Sequence, residues 1–224
     1  QKGGVGKTTT CINLAAYVSA LGKKVLVVDM DPQGNASSGL GVNKNLKLST
    51  LYDAIDGEKD ITEVIRRTGV KGLDIIPATV DLAGAEVELV SMRNREKVVK
   101  DLLKKVRDNY DYIFIDCPPS LGLLTINALT ASNSVVIPIQ CEFFALEGLS
   151  QLMNTIKLVK KHLNEEIDVE GVILTMKVSR SNLIQDVSTE IKRFFGKKVF
   201  ETFIPRSIRL AEAPSHGKPI MQYD

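Results

Sequence analysis

A doubly wound α/β architecture, with a mostly parallel sheet covered by helices on both faces, is the fold class the sequence predicts. Two observations carry that prediction. Short apolar runs rich in β-branched residues alternate with longer segments of helical period, the βαβ signature of a parallel sheet. The chain also opens on QKGGVGKTTT, a glycine-rich turn running straight into a helix, and in such folds a strand delivers a turn of this kind. With 224 residues, 44% hydrophobic and 25% charged, the chain can bury one sizeable core, so one domain over residues 1–224 is expected.

Taken in order, the first helix runs from Lys7 to Leu21, and KKVLVVD (23–29) is the first strand. Residues 34–60, rich in Gly, Ser and Asn and then charged, read as a loop with one short helix near Leu51 to Ile55. LDIIPA (73–78), YDYIFID (110–116), SVVIPI (134–139), VEGVILT (169–175) and KVFETFIP (198–205) read as further strands. Between them Arg95 to Asp108, Leu146 to Leu163 and Leu183 to Phe195 read as helices. In the second of these, Leu149, Leu152, Met153, Ile156, Val159 and Leu163 recur every three or four residues and form one apolar stripe for the sheet. No repeat, low-complexity tract or domain-dividing linker interrupts the pattern. A strand ahead of Gln1 and a helix after GKPIMQYD are expected to complete the fold.

Composition narrows the function classes. No apolar run approaches the roughly 18 residues that cross a bilayer, and no charged-then-apolar leader opens the chain, so a cytoplasmic protein is expected. Cys11, Cys117 and Cys141 lie far apart without a C-x-x-C pair, which favours reduced core thiols over a disulfide framework or metal cluster. The formal net charge is +2, but Met176 to Asp224 holds nine Lys or Arg against five Asp or Glu. This basic bias in the last fifth suits contact with phosphate backbones.

The chemistry concentrates at the first turn. Gly3, Gly4 and Gly6 allow backbone N–H groups to turn inward around Val5, and the helix that follows adds partial positive charge, both of which favour a polyphosphate. Lys7 can reach β- and γ-phosphates, and the Thr8 hydroxyl can ligate Mg²⁺. Gln1 stands where the usual pattern has its first glycine, and Lys2 adds a second cation five residues ahead of Lys7. Three carboxylates end nearby strands, where open α/β sheets bind ligands. Asp116 suits an acid holding Mg²⁺ through water, and Asp31 suits the group that orients attacking water. Asp29 has two readings, a neighbour of Asp31 or an acceptor that fixes the loop.

KGGVGKTTT, VLVVDMDPQGNASSGLG, YDYIFIDCPPSLGLLTINAL, PIQCEFFALEGLSQL and EAPSHGKPI together resemble the ParA/Soj partition ATPases, of the deviant Walker A group of P-loop NTPases that also includes MinD. The resemblance spans nearly the whole chain. It implies an ATP and Mg²⁺ site made by Lys2, Gly3, Gly4, Val5, Gly6, Lys7, Thr8 and Thr9, with Thr8 and, through water, Asp116 on the metal. It implies that Lys2 crosses a homodimer interface to the partner's ATP, in the manner of an arginine finger supplied in trans. Gly3 would lie at that interface, Asp31 would be the hydrolysis aspartate, and Pro205 and Ser207 would border the adenine. Ser207 stands where many relatives have Asn. Arg180, Arg206 and Arg209 stand where Soj-like proteins present basic residues to DNA, which implies non-specific, salt-dependent binding to double-stranded DNA. A ParB-type partner that stimulates a weak ATPase, and a nucleoid-associated location, are implied as well.

Two other classes are distinguishable. A MinD-like membrane-recruited regulator needs a basic amphipathic C-terminal helix, and the SRSNL and PRSIR arginines favour DNA and no membrane. An iron–sulfur ATPase needs paired cysteines at a dimer axis, and neither Cys117 nor Cys141 lies in such a motif.

Overall fold

The computed structural model describes residues 3–44, 46–140, 145–177 and 182–224, with side chains for all of these except 145–147, 177 and 182–186. The order of elements is α1 (Lys7–Ala20), β1 (Val25–Asp29), α2 (Asn35–Gly39), α3 (Leu51–Asp56), β2 (Arg66–Arg67), β3 (Leu73–Ile76), α4 (Leu82–Ser91) and α5 (Val98–Leu103). There follow β4 (Tyr112–Asp116), α6 (Leu123–Ala131), β5 (Ser134–Gln140), α7 (Ala145–His162), β6 (Asp168–Lys177), α8 (Asn182–Phe195), β7 (Ile204–Pro205), α9 (Ile208–Glu212) and α10 (Ile220–Tyr223).

The described residues form two sheets. One has the order β2-β3-β1-β4 and the other β5-β6-β7. Every residue of β1 is buried, as an unbroken VLVVD run requires of a strand covered on both faces. β1 pairs in parallel with β3 and with β4, and the β4 register places Asp29 opposite Asp116 at the two carboxyl ends. β2 is an antiparallel edge on β3, while β6 pairs in parallel with β5 and β7. β4 and β5 are the facing ends of the two sheets, and a cavity of about 660 Å³ lined by Ile113, Ile115, Val136 and Pro138 lies between them.

Helices cover both faces. α1 lies across β1, β4 and β5 and so bridges the two sheets. Ile12, Ala15 and Ala16 pack with Val25, Val27 and Ile75 on its side, and on the other side Leu26, Val28 and Ile76 meet Leu51, Leu82, Leu89, Val99 and Leu124. Around the second sheet, Leu149, Ile156 and Val159 of α7 meet Ile137, Val172 and Leu174, so the apolar stripe packs as expected.

Several expectations need correction. The run 198–205 is strand only at Ile204–Pro205, with one isolated bridge from Val199 to Val172, and Phe200 and Phe203 are exposed. The helix expected over 95–108 is α5 alone, followed by a 3-10 turn at Arg107–Asn109. The stretch 34–60 holds two helices rather than one, because α2 forms directly after Gly34. α4, α6 and the short α10 are additional helices.

Candidate phosphate-binding site

Gly4 (φ 79°) and Gly6 (φ 87°) both adopt the left-handed conformation that glycine reaches without strain. Gly6 is the N-cap of α1, whose first turn has neither a side-chain cap nor an acidic residue. The first intrahelical bond is from Thr10 N to Gly6 O at 2.9 Å, so the N–H groups of Lys7, Thr8 and Thr9 point out of the helix start with no intrahelical acceptor. The result is an anion-binding concavity of backbone amides. The loop is held from below by Thr175 of β6, whose hydroxyl donates to Val5 O at 2.8 Å. Nothing in the sequence marks Thr175 for that task, 170 residues away. Gly3 is exposed, with open space where a Cβ would stand.

The carboxylates converge on the same end. Asp29, Asp31 and Asp116 are all buried, at 0%, 7% and 2% exposure, and burial of three acids together is costly unless cations or donors meet them. Asp116 accepts from the Thr8 hydroxyl and feels the Lys7 charge, yet its Oδ2 is buried without any hydrogen-bond partner. Burial, with Asp29 and Asp31 adding to it against the opposing Thr8 bond and Lys7 charge, pushes the Asp116 carboxyl up to about 7. An orphaned acidic oxygen beside a threonine hydroxyl fits an absent divalent cation. Among the described residues no three His, Cys, Asp or Glu side chains are grouped so as to hold a metal ion by themselves.

Asp29 proves to be the loop-fixing acceptor. It takes hydrogen bonds from Asp31 N (3.2 Å), Ser37 N (2.8 Å) and Ser37 Oγ (2.7 Å), and burial outweighs these to push its carboxyl up to about 6. Asp31 in turn accepts from Gln33 N at 2.9 Å through Oδ1. Cys11 and Cys117 are free thiols pushed up first by burial and then by Asp116, Cys117 to about 12, so they are poor nucleophiles. Cys141 lies outside the described residues.

The raised carboxyls have a consequence for stability. Between their unfolded value near 3.8 and about 6 to 7 the folded chain holds protons the unfolded chain has released. Their stabilising share is therefore complete at low pH and lost as pH rises through that window. The melting temperature without ligand is expected to fall between roughly pH 4 and pH 7, and Asp116→Asn should flatten the fall. Scanning calorimetry across that range checks it, and an equal slope in the variant would contradict the assignment.

The remaining expected residues separate into groups. Pro205 is exposed in β7, and Ser207 is the N-cap of α9, its Oγ accepting from Leu210 N at 3.3 Å. Arg206 is exposed, while Arg209 faces Glu212 at 3.6 Å and Asp224 at 3.7 Å. Lys2 and Arg180 lie outside the described residues. Among the described residues no helix is long and apolar enough to cross a membrane.

Comparison with known proteins agrees with this geometry. The AAA domain family model matches residues 1–169. The sporulation initiation inhibitor protein Soj of Bacillus subtilis (strain 168) is 60% identical over 224 residues, a match covering 100% of this chain and 88% of that protein. The chromosome partitioning protein ParA of Myxococcus xanthus is 54% identical, covering 100% of this chain and 79% of its own. Among solved structures, a cobyrinic acid a,c-diamide synthase from Mycobacterium smegmatis with bound ADP and magnesium matches with a TM-score of 0.87 and 36% identity, over 96% of this chain and 88% of that one. A glycine nest opening α1, three strand-end carboxylates and identities of this size across the whole chain lead to one conclusion: the chain belongs to the Soj/ParA family of chromosome-partitioning ATPases.

Proposed function

We propose that this chain is an ATP-driven DNA-segregation switch. ATP with Mg²⁺ closes a homodimer, the dimer holds double-stranded DNA without reading its sequence, and a ParB-type partner stimulates hydrolysis and release. The observation that supports the reading most is the orphaned Oδ2 of Asp116 beside Thr8, at the foot of an uncapped helix start behind two left-handed glycines. The amides of residues 4–8 and the Lys7 ammonium bind and orient the phosphates. Thr8 and Asp116 would hold Mg²⁺, which neutralises phosphate charge when bound. Asp31 accepts a hydrogen bond from the attacking water and directs it, and Lys2 is assigned to the second subunit's nucleotide. The exposed, open position of Gly3 leaves room for the close approach of another chain.

Asp31→Ala is expected to keep ATP binding within about threefold and to lower turnover at least roughly a hundredfold, the size of effect a misdirected reacting group produces. Phosphate release and nucleotide titration measure the two quantities, and normal turnover would sink the role. Co-sedimentation with DNA or with anionic liposomes, each with and without ATP, tests the partner class. ATP-dependent pelleting with DNA alone is the expected result, and pelleting with liposomes instead would replace this reading with a membrane-recruited one.

A further inference from the structure

α2 is five residues long, NASSG, too short and too poor in helix formers to stand by its own hydrogen bonds. Ala36, Ser37 and Gly39 are nevertheless buried. What holds the helix is a set of bonds from outside it. The Asp29 carboxylate at the end of β1 accepts from the backbone and the hydroxyl of Ser37 and from the backbone of Asp31. The same Ser37 hydroxyl accepts from Ala78 N at 3.0 Å, just past the end of β3. Between them, Gly34 (φ 60°) donates to Asp31 O at 2.8 Å, and a Cβ on it would stand 2.5 Å from Ala78 O. One carboxylate and one hydroxyl therefore tie three segments together: the peptide carrying Asp31, the helix after it, and the neighbouring strand.

We infer that Asp29 and Ser37 are positioning residues for ATP hydrolysis, acting through the backbone that carries Asp31. The inference rests on the reading of Asp31 as the hydrolysis aspartate. Phosphate binding belongs to a different loop, residues 4–8, so loosening α2 affects the placement of Asp31 and not the grip on ATP. A misplacement of about 1 Å at a reacting group can cost on the order of a hundredfold in rate. A purely structural role would instead lower binding and turnover together, in step with the folded fraction.

The test uses Ser37→Ala, which removes the shared hydroxyl but keeps the backbone bond, and Asp29→Asn, which keeps the size of the side chain. Asp31→Ala is measured beside them, all at a temperature where circular dichroism shows each variant folded. Ser37→Ala and Asp29→Asn are expected to lower kcat roughly 10- to 100-fold with KM for ATP within about threefold. Ser37→Thr, which retains a hydroxyl, should recover part of the loss. If Asp31→Ala is inactive while both variants turn over normally, or if their kcat and KM change only in proportion to unfolding, the positioning role is wrong. If Asp31→Ala itself turns over normally, the reading beneath it is wrong.

Discussion

Lys7→Ala is expected to abolish ATP binding at micromolar concentrations, raising Kd at least a hundredfold. Within residues 3–9 Lys7 is the one side chain with a full positive charge, and the amides of the helix start supply only about half a charge. Opposite it stand three buried carboxylates, Asp29, Asp31 and Asp116, and the Lys7 charge is among the influences holding the Asp116 carboxyl down. Removing the ammonium leaves a polyphosphate facing acids across a poorly screened space, where Coulomb terms are several times their size in water. A hundredfold loss corresponds to about 2.7 kcal/mol, well within what one charge-assisted contact to phosphate supplies in such a site. Isothermal titration with ATP and Mg²⁺ measures it. The unliganded melting temperature should change little, because Lys7 is partly exposed at the start of α1. A Kd within threefold of the parent would show that the amide nest alone carries the affinity.

How far this site could be read in advance depends on the range of the interactions that build it. The loop was legible because its glycines, lysine and threonine act within a few residues of one another, and two of those glycines do adopt positive φ. β1 and β4 were legible because a strand buried on both faces must be an unbroken apolar run, and their parallel register then brings Asp29 beside Asp116. α6 was not, since Leu124, Thr125, Asn127, Ala128, Leu129 and Thr130 are all buried and the segment has no polar face to mark a helical period. α4 fails for the opposite reason, with Val87 and Val90 exposed and Leu82, Ala85 and Leu89 buried, so apolar residues lie on both sides.

The two regions beside the site were lost to tertiary interactions. α2 has no helical signal of its own and exists because Asp29 and Ala78 hold Ser37. The run 198–205 is apolar enough for a strand, but only Ile204–Pro205 forms one, Val199 makes an isolated bridge to Val172, and Phe200 and Phe203 stay exposed. Thr175 was invisible because a buried threonine in a strand is ordinary, and its bond to the loop joins residues that only the fold brings together.

Arg206→Glu is expected to weaken DNA binding at least tenfold at about 100 mM salt, and more than Arg209→Glu does. Both arginines were assigned to DNA by resemblance, but their surroundings differ. Arg209 already lies near Glu212 and Asp224, in exposed pairs of little stabilising value that still neutralise part of its charge and compete with a phosphate. Arg206 is exposed, has no ion pair among the described residues and stands immediately before the Ser207 cap of α9. Binding of this kind releases counterions, so removing one phosphate-bound cation should reduce the slope of log K against log salt by about 0.9. The loss should be equal for unrelated DNA sequences of the same length, because phosphate contacts position without reading bases. Fluorescence anisotropy with ATP across a salt series measures affinity and slope together, with size-exclusion chromatography testing whether parent and variant form the proposed ATP-dependent dimer alike. Unchanged affinity and slope in Arg206→Glu would place the DNA-binding surface away from α9. A larger loss for Arg209→Glu than for Arg206→Glu would mean that the ion pairs to Glu212 and Asp224 open when DNA binds.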